Sequence, residues 1–375
     1  MDIIGAGIGG LTTAIALQQK GITSNLYEQA KAIQPVGAGI ILANNAMQVY
    51  EKLGLRKELE AAGNPISAMK ITDPQLKPIS EVDLAHFEKK YQVRNIAIHR
   101  GALQQILAER LPKNTVHLGH ELIRVDKDQS AYVLHFKHGA QLRSSQLLGA
   151  DGLNSVLRQS LFNENTIRNA KQVCWRGVTD FTLPKPYRHE LNEAWGIGDR
   201  VGFVQIAPNQ AYWYALKSFL HDPGEYPLGE INEYYRDYHP VIRELIRSTP
   251  LENIHTAVIS DLAPIKTWHR ENVCLLGDAA HATTPNMGQG ACQSIEDAYI
   301  LSACLAKYEL NRAFAEFQRL RMPKAHQVVN TSWRLGKIAH WQHPLAITLR
   351  NQLLRLTPQS ISQKQSARIF QLEQV

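Results

Sequence analysis

Residues 2–11 of the 375-residue chain read Asp2-Ile3-Ile4-Gly5-Ala6-Gly7-Ile8-Gly9-Gly10-Leu11, a short apolar run that leads into a glycine loop. The apolar run predicts a buried strand, and the spacing of apolar residues after the loop predicts a helix that ends at Gly21. Residues 24–28 predict a second strand that ends in Glu28. The chain therefore opens with a β-turn-α-β unit.

The glycines at positions 5, 7 and 10 meet three physical requirements of a bound pyrophosphate. Gly5 permits a tight turn, Gly7 lets the backbone approach a phosphate, and Gly10 lets the helix pack on the strand. The helix N-terminus adds unpaired N–H groups and the positive end of its dipole. Glu28 is spaced to accept hydrogen bonds from a ribose. The unit predicts a dinucleotide site, and a tight turn without a ligand is the alternative.

Two further polar turns follow apolar runs. The first is Gly149-Ala150-Asp151-Gly152-Leu153-Asn154-Ser155 with Arg158 beyond it, and it suits either a ligand or a capped surface helix. The second is Leu275-Leu276-Gly277-Asp278-Ala279-Ala280-His281-Ala282, which continues through Pro285 into a helix. An acid at a strand end beside a glycine can hold a hydroxylated chain, and the amides of a helix start can face an anionic group.

In their order and spacing, the three clusters resemble those of the FAD-dependent aromatic hydroxylases. These are single-component flavoprotein monooxygenases and include the para-hydroxybenzoate, salicylate and urate hydroxylases and the tetracycline-inactivating enzymes. The resemblance covers roughly residues 1–335. It implies an α/β fold in which a Rossmann-like (GR2-type) FAD-binding domain is interleaved with a smaller mixed or antiparallel-sheet substrate domain, with helices at the C-terminus. We predict that the FAD-binding domain comprises 1–72, 96–172 and 262–330, the substrate domain 73–95 and 173–261, and the C-terminal helical segment 331–375.

The resemblance also implies which residues hold the FAD. The implied contacts are Gly5, Gly7, Gly10, Glu28, Gly39, Asn44, Arg100, Asp151, Arg158, Gly277, Asp278, Pro285, Gly288, Gly290 and Ala291. Among them, Arg100 would contact the pyrophosphate or ribityl region and Asp278 the ribityl chain. The middle cluster would also serve transient nicotinamide binding, and the stretch that begins Gly37-Ala38 would lie beside the flavin.

As the resemblance implies, NADH or NADPH reduces the FAD, dioxygen adds to the reduced ring as a flavin hydroperoxide, and one oxygen atom passes to a small aromatic or heteroaromatic substrate. Glu28 belongs to the FAD site and so does not distinguish NADH from NADPH. We assign no side chain as a proton donor. The amides of Gly288, Gln289, Gly290 and Ala291 are expected to stabilise negative charge on the reduced ring. His281 is interpreted as a local hydrogen-bonding residue rather than a catalytic one.

Residues 172–217 are rich in aromatic side chains on strand-like runs and predict a second sheet. Alternation places Tyr212 and Tyr214 on one face of it and Trp213 on the other. Arg200 resembles the position where some relatives bind a polar substrate group. The predicted substrate contacts are Arg200, Gln205, Tyr212, Trp175 and Met287, with core packing as the alternative for the aromatic ones.

Other segments carry plainer structural signals. Short alternating runs over 115–148 predict an antiparallel meander, and 229–248 predicts a helix. The chain is helical in pattern from Gln289 almost to Leu335, with a break or kink expected at Pro323. The apolar and basic tail from 344 is expected to pack on the body of the protein, and peripheral membrane contact is the alternative.

The composition, with 44% hydrophobic and 20% charged residues, excludes collagen-like, disordered and disulfide-scaffold proteins. The net charge of +7 favours anionic ligands, but the cations are scattered and carry no nucleic-acid-binding signature, so we expect a nucleotide cofactor and no nucleic acid.

Four cysteines without a Cys-x-x-Cys pair predict a reducing, cytoplasmic compartment and no metal site. No apolar stretch is long enough to cross a bilayer.

Two other functions stay open at this stage. The chain could be a related FAD oxidoreductase that epoxidises an alkene or reduces an isoprenoid. It could also be a non-catalytic flavin-binding protein whose second sheet presents a partner surface. Product analysis under isotopically labelled dioxygen separates oxygen insertion from hydride-only chemistry and from leakage of hydrogen peroxide.

Overall fold

The computed structural model describes residues 1–33, 38–219 and 228–375, and in these residues four β-sheets and their helices form an α/β structure, as predicted. The strands are β1 (Asp2–Ile4), β2 (Asn25–Tyr27), β3 (Gly39–Leu42), β4 (Asn64–Ile66), β5 (Ala68–Thr72), β6 (Pro78–Asp83), β7 (Asn95–His99), β8 (Val116–His117), β9 (Leu122–Asp128), β10 (Ala131–Phe136), β11 (Gln141–Ser144), β12 (Leu147–Gly149), β13 (Ile167–Asp180), β14 (Glu190–Trp195), β15 (Asp199–Ala207), β16 (Gln210–Ser218), β17 (Ile254–Leu262), β18 (His269–Arg270) and β19 (Val273–Leu275). The helices are α1 (Ile8–Gln19), α2 (Asn44–Lys52), α3 (Arg56–Ala62), α4 (Ala85–Tyr91), α5 (Arg100–Glu109), α6 (Val156–Leu161), α7 (Ile231–Tyr234), α8 (Pro240–Arg247), α9 (Asp278–His281), α10 (Gly290–Lys307), α11 (Leu310–Ala339), α12 (Pro344–Leu356) and α13 (Gln359–Phe370).

A six-stranded sheet with the order β18-β19-β12-β1-β2-β8 forms the centre of the molecule and contains the strands of the first β-turn-α-β unit. Its strands from β19 to β8 run parallel, and only the edge strand β18 is antiparallel. The apolar residues of β1, β12 and β19 are buried because helices cover the sheet, as a parallel sheet requires. The predicted meander is confirmed as the separate antiparallel sheet β11-β10-β9.

The predicted second sheet is a seven-stranded sheet with the order β17-β13-β16-β15-β14-β5-β6. One face packs on α7 and α8 through a buried cluster that includes Trp175, Phe203 and Trp213. The other face carries Tyr212 and Tyr214 and packs on the main core, so the predicted alternation is confirmed. Strand β5, which we placed in the predicted range 1–72, pairs with β14 of this sheet.

Two helix boundaries differ from the prediction. Helix α11 continues through Pro323, so the predicted break is absent there and the kink stays a prediction. The interruption lies at Tyr308 and Glu309, where α10 gives way to α11. Ion pairs from α11 to α10 beside the proline hold the helix in place although the proline lacks one N–H donor. The helix predicted over 229–248 is two short helices, α7 and α8, and the second begins at Pro240, a favourable first helical position.

The C-terminal tail packs on the body at its far end. Phe370 is buried against Phe87, and Lys324 donates a hydrogen bond of 2.7 Å to the carbonyl oxygen of Gln371. Helix α12 leaves one row of leucines exposed: Leu345, Leu349, Leu353 and Leu356. Among the described residues, no helix has the length and apolar character needed to cross a membrane.

A buried histidine joins the end of α11 to the seven-stranded sheet and makes stability depend on pH. The Nδ1 atom of His340 lies 3.0 Å from the carbonyl oxygen of Gly198 and 2.8 Å from the hydroxyl of Ser218. Burial, and then the positive charge of Arg200, lower the pKa of His340 to about 3. Below its unfolded-state pKa of about 6.5, the unfolded chain therefore binds a proton that the folded protein excludes.

We expect the free energy of unfolding to fall with decreasing pH in this range, with His340 contributing about 1.4 kcal/mol per pH unit between about pH 6 and pH 4. Urea denaturation of the wild type and of His340→Gln at several pH values measures this contribution, and the variant should show the shallower slope. His343→Gln, at an exposed neighbouring position, is the control and should follow the wild type. Parallel curves for all three proteins would contradict the assignment.

Candidate active site

The central sheet brings the predicted motifs to one edge. Strands β1, β12 and β19 are in register, with Ile4 opposite Gly149 and Gly149 opposite Leu275, and β2 adds Glu28 on the other side of β1. The carboxyl ends of these four neighbouring strands therefore carry all the predicted turns, and we call the strip along these ends, from Glu28 to the start of α10 beside Asp278, the groove. At about 4.8 Å per strand, Glu28 and Asp278 lie about 14 Å apart along this edge, a span that suits an extended dinucleotide.

The first glycine loop has the shape of a phosphate-binding cradle. A Cβ atom on Gly10 would overlap the carbonyl oxygen of Gly5, and one on Gly5, whose φ is +100°, would overlap the carbonyl oxygen of Ala150. These two glycines are required by the close approach of backbone to backbone. A Cβ on Gly7, the N-cap of α1, would meet nothing within 4 Å, so the space in front of the helix N-terminus is open. Open space at that point is what a pyrophosphate needs.

Glu28 is fixed beside this cradle. Its carboxylate accepts a hydrogen bond of 2.7 Å from the backbone N–H of Ala6 and one of 2.9 Å from that of Ala30. A carboxylate has about four acceptor directions, so two stay free for ribose hydroxyl groups.

Arg100 lies near enough to both Asp278 and Arg176 for their charges to act on it. The Asp278 side chain is solvent-accessible but surrounded by protein, and this desolvation raises the pKa of its carboxyl group. Burial and the nearby charge of Arg176 lower the pKa of Arg100. In the described part of the chain, neither guanidinium group donates a hydrogen bond to another residue, so both are available to a ligand. Arg176 is a groove residue that we did not predict.

The second cluster is divided between the groove and the protein interior. Burial raises the pKa of Asp151, and its Oδ1 atom has no hydrogen-bond partner among the described residues. Arg158 is fully buried and donates to the carbonyl oxygens of Leu153 and Ala279 and to Asn165. Arg158 therefore ties the second turn to the third through Ala279, while its Nε atom has no hydrogen-bond partner among the described residues, so its predicted ligand contact stays a prediction.

The segment around β3 also differs in part from the prediction. Gly37 lies outside the described residues. Gly39 faces Tyr212, whose ring would lie 2.5 Å from an added Cβ, so this glycine admits the tyrosine. Asn44 is buried, exchanges hydrogen bonds with the side chain of Asn95, and donates its side-chain amide to the carbonyl oxygen of Val93. It fastens the start of α2 to β7 and does not face the groove, which corrects its predicted role.

The start of α10 lies at the other end of the groove. Gly288, with φ of +61°, follows the turn Pro285–Met287, and its Cβ position is open. The N-cap residue Gln289 accepts a hydrogen bond of 3.0 Å from the side chain of Asn45, whose Oδ1 has no partner among the described residues. Gly290 and Ala291 form the first turn of this 18-residue helix, and it stays a prediction that its N-terminal amides face an anionic ring.

A buried ionic network lies under this helix. His281, 2.5 Å from Asp297, is almost fully buried, which agrees with its interpretation as a local hydrogen-bonding residue. Burial alone would raise the pKa of Asp297, but His281 and Arg321 outweigh that effect and hold it at about 2. The network anchors α10 and α11 to the third turn.

The groove-facing side of the seven-stranded sheet carries a polar patch. Arg200 donates a hydrogen bond of 3.0 Å to Glu193 and another to Asn286, which lies on the turn before Gly288. Tyr214 donates its hydroxyl to the other oxygen of Glu193. Met287, next to Asn286, is half-buried on the same turn. The predicted residues Arg200 and Met287 are thus brought close together, and Tyr212 lies beside Tyr214 with ring centres 5.9 Å apart.

Two of the predicted substrate contacts lie on the opposite face. Trp175 packs against Tyr234 in the cluster under α7. The amide of Gln205 bonds backbone groups of the neighbouring loops, among them the N–H of Leu183 and the carbonyl oxygen of Ala207. Strand alternation turns both side chains away from the groove, so the structure corrects these assignments.

Glu193 and Asn286 are site residues that sequence analysis missed. A signal for Glu193 was present in the sequence. The turn through Gly196 and Gly198 predicts a hairpin whose register sets Trp195 opposite Arg200. Glu193 lies two residues before Trp195 and therefore on the same face of the strand. Nothing in the sequence places Asn286 beside Arg200, since 86 positions separate them and only the packing of the turn on the sheet joins them.

These residues fit FAD. The open cradle at Gly7, the carboxylate of Glu28 and the accessible carboxyl group of Asp278 follow one groove that ends at the N-terminus of α10. The unpartnered Oδ1 atom of the buried Asp151 carboxyl group also suits a ligand that completes the site.

Comparisons with known proteins agree with this geometry. Residues 1–332 match the family described as "FAD binding domain". The chain is 35% identical to the aurachin C monooxygenase/isomerase of Stigmatella aurantiaca over 94% of this chain and 93% of that protein. It is 30% identical to the 2-heptyl-3-hydroxy-4(1H)-quinolone synthase of Pseudomonas aeruginosa, over 98% of this chain and 97% of that protein. The crystal structure of Klebsiella pneumoniae HpxO complexed with FAD and uric acid is similar with a TM-score of 0.89 and 25% identity, covering 99% and 96% of the two chains.

Fold and site together define the class of FAD-dependent monooxygenases. The chain belongs to the FAD-binding family to which the expected resemblance pointed. Its cofactor is FAD, with NADH or NADPH as reductant and dioxygen as co-substrate.

Proposed function

We propose that this monooxygenase hydroxylates a carbon atom of a nitrogen-containing heteroaromatic ring of the quinolone type. The observation that carries the proposal is the patch of Glu193, Arg200 and Tyr214 against Asn286, beside the predicted flavin edge. Such a ring has apolar faces and hydrogen-bonding groups on its edge, and a few placed polar groups in an otherwise apolar site recognise that combination. The 30% identity to a quinolone synthase supports this ring type, and the uric acid held by HpxO supports the wider class of nitrogen heteroaromatics.

We infer that the groove residues divide the binding of the cofactor among them. The start of α1 at Gly7 binds the pyrophosphate, Glu28 the adenosine ribose, and Asp278 with Arg100 the ribityl region. Bound FAD supplies the redox chemistry by taking up hydride from NADH or NADPH and activating dioxygen. The N-terminal amides of α10, at Gly290, stabilise negative charge that develops on the ring.

The seven-stranded sheet, with β5 and β6, is in this proposal the substrate part, and the central sheet is the FAD-binding part. The groove-facing side of the substrate part excludes water, because residues such as Val204 and Tyr212 pack on the main core. Water exclusion would limit the loss of activated oxygen as hydrogen peroxide before transfer. The four cysteines are all buried and free, which supports a reducing, cytoplasmic site of action.

Product analysis tests the proposed reaction. FAD-loaded protein is incubated with NADH or NADPH, isotopically labelled dioxygen and a quinolone that carries a heptyl chain and no ring hydroxyl group. We expect a product with one labelled oxygen atom and a faster consumption of reductant when the quinolone is present. Reductant consumption without labelled product would favour a different FAD oxidoreductase. Equal, negligible oxygen uptake with and without the quinolone would favour a flavin-binding protein.

A further inference from the structure

One cross-strand row of residues on the groove-facing side of the sheet positions Glu193 and Tyr214, which compensate the positive charge of Arg200. The register sets Arg176 opposite Tyr214, Tyr214 opposite Gly202, and Gly202 opposite Glu193. A Cβ atom on Gly202 would overlap the hydroxyl end of Tyr214. The tyrosine ring therefore lies across Gly202, and its hydroxyl group reaches Glu193 two strands away.

Glu193 collects three donors on one carboxylate. Its Oε1 atom accepts from Arg200 at 3.0 Å and from the indole N–H of Trp195 at 2.6 Å, and its Oε2 atom accepts from Tyr214. Burial, followed by the negative charge of Glu193, raises the pKa of Tyr214, so its hydroxyl group stays a donor. With about four acceptor directions on a carboxylate, one direction on Oε2 stays free.

The ion pair is shielded from solvent but not fully closed. The Arg200 side chain is 1% exposed, and that of Glu193 keeps 13% of its surface accessible. In such surroundings an unpaired charge is costly, so the pair is neutral as a unit and neither partner can be removed without effect on the other. An anionic ligand that approached Arg200 would have to compete with Glu193 and would be repelled by it.

We propose that Glu193 selects the charge of the substrate: it neutralises Arg200, so that the site takes an uncharged heteroaromatic ring with an N–H donor and rejects its anionic analogues. The inference rests on the proposed function for the position of the ring, and it names the property of the substrate that this chain distinguishes. A neutral quinolone has such an N–H donor, and the free acceptor direction of Oε2 can receive it. A carboxylate-bearing ring would bring a second negative charge beside the carboxylate of Glu193.

The test compares ligand binding to FAD-loaded wild type and Glu193→Gln. The probes are unsubstituted quinolone, the quinolone that carries a carboxylate next to its ring nitrogen, and benzoate, and binding is read from the perturbation of the flavin absorbance. We expect the wild type to bind the neutral quinolone more tightly than its carboxylate. In the variant the ratio of the two dissociation constants should shift by about tenfold or more towards the anion, because Arg200 then lacks its charged partner.

Two further variants separate charge selection from structural damage. Arg200→Met leaves the Glu193 carboxylate unpaired and should shift the ratio in the opposite direction. Glu190→Gln removes a carboxylate from the opposite face of the same strand, where its partner is Lys70 at 2.6 Å, and should leave the ratio unchanged. FAD content, measured for every variant, shows whether the groove is intact.

An unchanged ratio in Glu193→Gln, or an equal shift in all three variants, would overturn the inference. If the wild type binds neither quinolone, the proposed substrate class fails instead. The benzoate measurement then decides the role of Glu193, because the variant should bind benzoate about tenfold more tightly than the wild type does if Glu193 controls access to Arg200.

Discussion

Replacing Gly7 by alanine is expected to leave the protein folded and to remove most of its FAD. Gly7 has an ordinary extended backbone, with φ of −68°, and a Cβ atom there would meet nothing within 4 Å of the protein. The added methyl group would occupy the space in front of the α1 N-terminus that the pyrophosphate must enter. Weakening two charge-assisted hydrogen bonds, at about 1.5 kcal/mol or more each, lowers the FAD affinity by about a hundredfold.

The ratio of flavin to protein absorbance and the melting temperature of the FAD-free protein measure the two parts of this prediction. Gly229→Ala is the matched control, because its Cβ position is equally open but lies away from the groove. Gly10→Ala should behave differently from both, since its methyl group would overlap the carbonyl oxygen of Gly5 and destabilise the protein itself. Full FAD retention in Gly7→Ala would show that the pyrophosphate does not bind at this turn.

Replacing Arg321 by methionine is expected to cost about 3–5 kcal/mol of unfolding free energy. Arg321 is completely buried and donates to Asp297 and Glu296 at 2.8 Å each and to Gln293 at 2.7 Å. Without the guanidinium group, the buried carboxylates of Glu296 and Asp297 are only partly neutralised by the remaining positive charges. The start of α10 rests on this network, so FAD affinity should fall together with stability.

Chemical denaturation of the FAD-loaded variant, with flavin and tryptophan fluorescence as separate probes, measures both effects. Arg319→Met is the matched control in the same helix: its side chain is 66% exposed and pairs with Glu316 at the surface. The control should stay within about 0.5 kcal/mol of the wild type because exposed ion pairs contribute little. Similar losses in the two variants would mean that the buried network does not stabilise the protein in the way proposed.

The glycine loop shows how far local sequence can lead. Gly5, Gly10 and Glu28 lie within one β-turn-α-β unit, and the requirements of that unit are steric, so their residue types alone predicted the cradle that the structure has. The same holds for Tyr212 and Tyr214, since alternation along a strand needs no partner to be known.

Prediction was weaker where a side chain's partners come from distant parts of the chain. Arg158 and Asn44 have the residue types of ligand contacts, but acceptors and donors from other segments use most of their hydrogen-bonding groups. Trp175 and Gln205 were predicted as substrate contacts but lie on the face opposite the groove, because the way the sheet packs on its neighbours decides which face meets the groove. Pro323 did not end its helix, since contacts from α10 outweigh the loss of one hydrogen bond.

Residue type and spacing by themselves determined that this chain builds strand-to-helix turns able to hold a dinucleotide, because a tight turn and a helix N-terminus are made by neighbours in the chain. Only the tertiary structure decided that four such strand ends lie side by side, and that Glu193, Arg200 and Asn286 form one patch. The physical reason is that charge compensation and burial depend on distances in space, and these are set by strand register and packing.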